Sequence, residues 1–135
     1  MRRIDLCFML LATISLLAGV SMGIWMGIAQ DFQFAPVHAH LNLLGWASLA
    51  LFGLTYRAYP EMAESRLARL HLMLAAPSAV LFPLGIALSI LGVTILVAVM
   101  ASFAWLAGVA VFLAGLLRLA LAPRAVQSMA VLPAE

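Results

Sequence analysis

The chain has 135 residues, of which 67% are hydrophobic and only 9% charged, a balance far outside that of soluble domains and one that excludes a water-soluble globular fold. With seven arginines, no lysine and five acidic residues the formal net charge is +2, so the chain's basic character comes from a few arginines; a nucleic-acid-binding surface is excluded on that ground. The single Cys7 lies in the first apolar stretch, which leaves no intrachain disulfide and no cysteine-based zinc site.

Apolar residues run almost unbroken over 6–29, 37–58, 70–90 and 95–117. Each run is close to the roughly 20 residues that cross a bilayer as a helix. The pattern predicts an all-α integral membrane protein, a four-helix bundle with helices over about 5–29, 36–58, 66–91 and 94–120. No run carries the broad charged face of a surface-lying helix, and the short alternating segments of a closed barrel are absent. Residues 1–121 read as one transmembrane domain, and 122–135, with Pro123 and Pro133, as a short loose cytoplasmic tail.

Arg2 and Arg3 precede the first helix, whose apolar run is longer than that of a signal peptide, so it reads as a retained membrane helix. Arg57, Arg66 and Arg69 flank the connection between the second and third helices, and Arg118 and Arg124 follow the fourth. An N-in, C-in topology puts every arginine on one side, as the positive-inside rule expects, and Asp31 is the only charge in the opposite loops. That is the pattern of a multi-pass protein of the bacterial inner membrane. Gly19, Gly23 and Gly27 form a ridge of small residues. The ridge reads first as a packing surface, within the bundle or across a homo-oligomer, and second as a smooth face for a flat cofactor. Met22 and Met26, four residues apart, read as core fillers or as soft metal ligands.

In the second helix Pro36 suits a first-turn position and sets His38 and His40 on the first two turns. Residues two apart on a regular helix point about 200° apart, so the pair cannot readily grip one metal ion. His38 shares a stripe with Asn42, Gly45 and Leu49, and His40 with Leu44, Ala47 and Leu51. A neutral imidazole is a good iron ligand once a hydrogen bond orients its other nitrogen, for which Asn42, Gln30, Gln33 or a backbone carbonyl could serve. Imidazole with the thioethers of Met22 and Met26 is also a Cu(I) ligand set.

Ser65 is placed to cap the third helix, with Glu61, Glu64, Arg57, Arg66 and Arg69 as a solvated charge cluster around it. His71 falls about 9 Å into that helix, too far to share one site with His38 and His40 across a core of about 30 Å. Pro77 and Pro83 each remove a backbone donor from it. In the fourth helix Ala104 and Gly108 offer a second close-packing surface. Trp25, Trp46 and Trp105 fit aromatic belts in part, and Tyr56 and Tyr59 read as interface anchors. No buried carboxylate is evident to carry a proton relay, and no phosphate-binding loop or nucleophile elbow occurs.

The segment His40-Leu41-Asn42-Leu43-Leu44, followed by Tyr56, Tyr59, Pro60 and Glu61, resembles the second transmembrane helix of the catalytic subunit of haem-copper oxidases and nitric oxide reductases. The resemblance implies that His40 is an axial ligand of a low-spin haem b near the outer surface. His38, two residues earlier, is the other candidate, Asn42 and Gly45 are the neighbouring cofactor-binding positions, and His71 is a cofactor-binding candidate only of a separate site. Leu67 to His71 is similar, more generically, to the start of another helix of that superfamily. Three histidines are too few for the two haems and the binuclear metal site of a complete oxidase, so the chain is not expected to be a complete enzyme on its own. What the resemblance leaves is a small haem-binding membrane protein serving electron transfer, sensing or support of a respiratory complex. It would act as a homo-oligomer or within a larger assembly. The alternatives are a cofactor-free accessory subunit and a Cu(I)-binding protein.

Overall fold

A computed structural model describes residues 3–121, so the tail from 122 onward, Arg2 and Arg124 lie outside the described residues. The elements are α1 (Ile4–Ala29), α2 (Ala35–Ala58), a single turn α3 (Pro60–Ala63), α4 (Arg66–Ile90) and α5 (Leu96–Leu121). Four of these, α1, α2, α4 and α5, are 24 to 26 residues long and apolar enough to cross a membrane. At 1.5 Å per residue they reach about 36–39 Å, more than the hydrocarbon core of about 30 Å. The chain is therefore an all-α, multi-pass membrane protein, and its helix bounds fall within two residues of those the hydropathy predicts.

Local chemistry sets those bounds. Helix α1 stops where Gln30 takes a left-handed conformation (φ 52°), and its side-chain amide donates back to the Gly27 carbonyl at 2.6 Å. Pro36 sits in the first turn of α2, where its missing N–H is not needed. Ser65 Oγ accepts from the Ala68 amide at 3.1 Å to cap α4. At the far end of α4, Gly92 turns the chain with φ 70°, and Thr94 Oγ1 accepts from the Leu96 amide at 3.1 Å to start α5. Helix α4 continues through both Pro77 and Pro83.

Regular α-helix is not maintained throughout α2. Its first turns, Ala35–His40, are α-helical, Leu41–Ser48 is π-helical, and Leu49–Ala58 returns to α. Ser48 Oγ donates to the Leu43 carbonyl five residues back, at 2.8 Å. The wider turn retards the helix face, and this irregularity begins directly after the two histidines.

Helices α1 and α2 run antiparallel along a ladder in which a small residue on one side receives a larger group from the other. A Cβ built on Gly23 would lie 2.8 Å from His38 Cε1, one on Gly19 2.6 Å from Asn42 Nδ2, one on Gly45 2.7 Å from Ser15, and one on Gly53 2.9 Å from Met9. Helices α4 and α5 make a second seam of comparable extent. There Gly85 lies directly on the Ala98 backbone and Gly108 on Ala75, with Ala79 and Ala101 buried between them. Lipid is as apolar as leucine, so close van der Waals approach, not apolar burial, holds such seams together. The leucines and isoleucines left outside, such as Leu10, Ile14, Leu106 and Leu113, are more than half exposed and face the bilayer.

All four membrane helices meet at the end of the bundle that carries Arg3, Arg57, Arg66, Arg69 and Arg118, hereafter the arginine end. Phe8 of α1, Phe52 and Tyr56 of α2, His71 of α4 and Phe112 of α5 form one aromatic cluster, with ring centroids 4.6 to 5.9 Å apart. Buried Ile4, Leu49, Met62 and Ala68 extend it.

Candidate functional site

The two histidines of α2 face different neighbours. His38 turns toward α1, with its Nδ1 2.8 Å from the Gly19 carbonyl oxygen. Its ring lies over Gly23, close enough that a Cβ there would sit 3.3 Å from Nδ1 and 3.7 Å from Nε2. Asn42, one turn on, fills the space over Gly19 and donates to the His38 carbonyl at 2.8 Å. His38, Asn42 and Gly45 share one face, as the helical spacing predicts, and the structure turns that face toward α1.

This packing corrects one expectation. The glycine ridge is not a smooth face open to a flat cofactor, because His38 and Asn42 occupy the notches at Gly19 and Gly23. Of the three ridge glycines, Gly27 alone has nothing within 4 Å of its Cβ position. Of the two readings of the ridge, helix against helix is the one realised within the chain.

His40 points away from α1. Its Nδ1 lies 2.7 Å from the Pro36 carbonyl one turn back, and its ring stands 4.9 Å from Phe82 of α4. A carbonyl only accepts, so Nδ1 carries the proton in His38 and His40 alike, and in each neutral ring Nε2 keeps the lone pair. His38 Nε2 is turned into the α1 contact, with the Asn42 amide at 3.5 Å. His40 Nε2 has no hydrogen-bond partner among the described residues, and the residue is partly exposed.

Met26 is buried at 4% exposure and Met22 is partly buried, both in α1. Among the described residues no group of three or more His, Cys, Asp or Glu side chains is placed to hold a metal ion. His38, His40 and the methionines therefore do not converge with further ligands of those kinds.

His71 belongs to a different place. It is fully buried, its Nδ1 lies 2.9 Å from the Tyr56 hydroxyl, and Phe8, Phe52 and Phe112 close around the ring. Its Nε2 has no hydrogen-bond partner among the described residues. Phe82, the residue against His40, lies eleven positions further along α4, a rise of about 16 Å. The structure therefore keeps His71 apart from the α2 pair, as the helix-depth arithmetic predicts.

Two features escape the hydropathy reading. Tyr56 is no interface anchor: it is 2% exposed and stacks on Phe8 at 5.6 Å, while Tyr59 remains exposed. Asp5, in the first turn of α1, has a side chain only 14% exposed and is held by Arg57, in the last turn of α2, at 3.0 Å, with Arg3 at 3.9 Å. The signal was present in the sequence. An acid at a helix start and a base at a helix end suit the two helix dipoles, and an antiparallel hairpin brings those ends together.

Compared with protein-family models, with curated proteins and with solved structures, the chain matches none.

Proposed function

We propose that the chain is a small haem b-binding membrane protein in which His40 is the axial ligand and His38 is a packing residue. The observation that carries this reading is the hydrogen bond from His40 Nδ1 to the Pro36 carbonyl, 2.7 Å long, which fixes the tautomer and ring orientation and leaves Nε2 as the ligating nitrogen. Metal-ligating imidazoles ordinarily carry such a bond, and of the two histidines of α2 that have one, His40 lies away from the filled α1–α2 seam. The resemblance of His40-Leu41-Asn42-Leu43-Leu44 to the oxidase and reductase helix agrees with the same residue. The adjoining π-helical stretch supports it, since such stretches concentrate at functional sites.

Haem between α1 and α2 does not fit, because the glycine notches are full. Haem would be held by His40 outside that seam, and with one such imidazole per chain any second protein ligand would come from a second copy or a partner. Bound haem supplies one-electron chemistry and a binding position for diatomic gases, which suits electron transfer, sensing or support of a respiratory complex of the inner membrane. The test is a reduced-minus-oxidised visible spectrum of the detergent-purified protein with haem quantified per chain. Sharp low-spin bands at stoichiometric haem are expected; a colourless protein expressed with ample haem would contradict the reading.

A second reading rests on the α1–α2 ladder. His38, Asn42 and Gly45 all have structural work in holding the bundle, which is what a cofactor-free accessory subunit requires. Cu(I) binding through His38, His40, Met22 and Met26 is a third outcome of the same preparation, read by metal analysis of a colourless sample.

A further inference from the structure

We propose that the arginine end holds one anionic glycerophospholipid in a crevice between α1, α3 and α4. Two cavities adjoin there. The larger, of about 770 Å³, has Arg3, Asp5, Tyr56, Arg57, Glu64 and Arg69 on its walls. The smaller, of about 400 Å³, is an apolar groove floored by Ile4, Leu70, Leu72 and Met73 with Arg66 and Arg69 at its rim. Ile4 and Arg69 line both, so a pocket carrying three arginines and two carboxylates adjoins a groove lined mainly by apolar side chains. That sequence of environments matches an amphiphile lying along a membrane helix, with its headgroup in the pocket and its acyl chain in the groove. Met73 is 72% exposed, which places the groove on the lipid-facing side of α4.

Charge selects the headgroup. Of the two wall carboxylates, Asp5 is already engaged by Arg57 and Arg3. Glu64, Arg66 and Arg69 form no ion pair among the described residues. Four guanidinium groups thus face two carboxylates. A phosphodiester with no compensating cation fits that excess, and Arg66 and Arg69 are the groups open to receive it. Guanidinium suits phosphate because its planar donors can bond two oxygens at once. Basic pockets between membrane helices at the arginine-rich face are the expected place for anionic headgroups.

Native mass spectrometry of the detergent-released full chain, offered phosphatidylglycerol and phosphatidylcholine in equal amounts, tests the site without any substitution. One phosphatidylglycerol retained per chain, in clear preference to phosphatidylcholine, is expected. The double variant Arg66→Gln/Arg69→Gln should weaken retention by about fivefold for each arginine removed. Arg118→Gln, at the same end but on neither cavity, should leave it unchanged. Equal retention of the two lipids, an equal loss in Arg118→Gln, or displacement of phosphatidylglycerol by inorganic phosphate alone would overturn the proposal. So would a lipid-free dimer that buries this crevice.

Discussion

The two ends of the bundle use histidine in opposite ways. At the arginine end His71 is sealed among four aromatic rings and hydrogen-bonded, among the described residues, to Tyr56 alone. At the opposite end His38 and His40 lie near the start of α2, and each spends one nitrogen on a backbone carbonyl. The partner of the first nitrogen decides what the second can do. In His71 the second nitrogen is buried with no partner among the described residues, a cost carried by the packing of four helices around it. In His40 it has no hydrogen-bond partner among the described residues. In His38 it is turned into a glycine notch. Three histidines in one apolar chain thus divide into a core residue, a ligand candidate and a helix-packing residue, and only their hydrogen bonds distinguish them.

Substitution at His71 should have the largest structural effect. His71→Ala opens a void among Phe8, Phe52 and Phe112 and leaves the Tyr56 hydroxyl unbonded, for an expected loss of about 3 kcal/mol. Thermal unfolding in detergent followed by circular dichroism measures it. On the proposed haem-binding reading the folded fraction should keep haem bound; an unchanged midpoint, or loss of haem from a fully folded variant, would break the contrast between the ends. A smaller effect is expected at the rim of the same end. Asp5→Asn weakens the tie to Arg57 and Arg3 by about 0.5 kcal/mol, in a way that high salt should erase. A loss that persists undiminished in high salt would mean that Asp5 acts through packing and not through charge.

Much of the fold is legible in the sequence because a bilayer constrains helices by length and hydropathy alone, and the caps at Pro36 and Ser65 follow from residue type. The assignment of Gly19 and Gly23 to helix packing is legible too, but not what fills them. Which long side chain enters which notch depends on the register between two helices, and that register is set in part by the π-helical stretch, which leaves no periodic signal in Leu41–Ser48. The same limit explains Tyr56. A tyrosine near a membrane boundary reads as an anchor until a facing histidine and phenylalanine from other helices are known to enclose it. At the candidate site, helical spacing separates His38 from His40 correctly. It does not reveal which of the two keeps a nitrogen open, because that depends on a carbonyl of α1 and one of the chain's own preceding turn.

The division of roles between His38 and His40 is tested most directly by haem content per chain in His40→Ala and His38→Ala, purified side by side with the wild-type protein. The account predicts that His40→Ala loses most of its haem while remaining folded, and that His38→Ala retains haem but unfolds at lower temperature as the Gly23 notch empties. Full haem in folded His40→Ala, or loss of haem confined to His38→Ala, would contradict it.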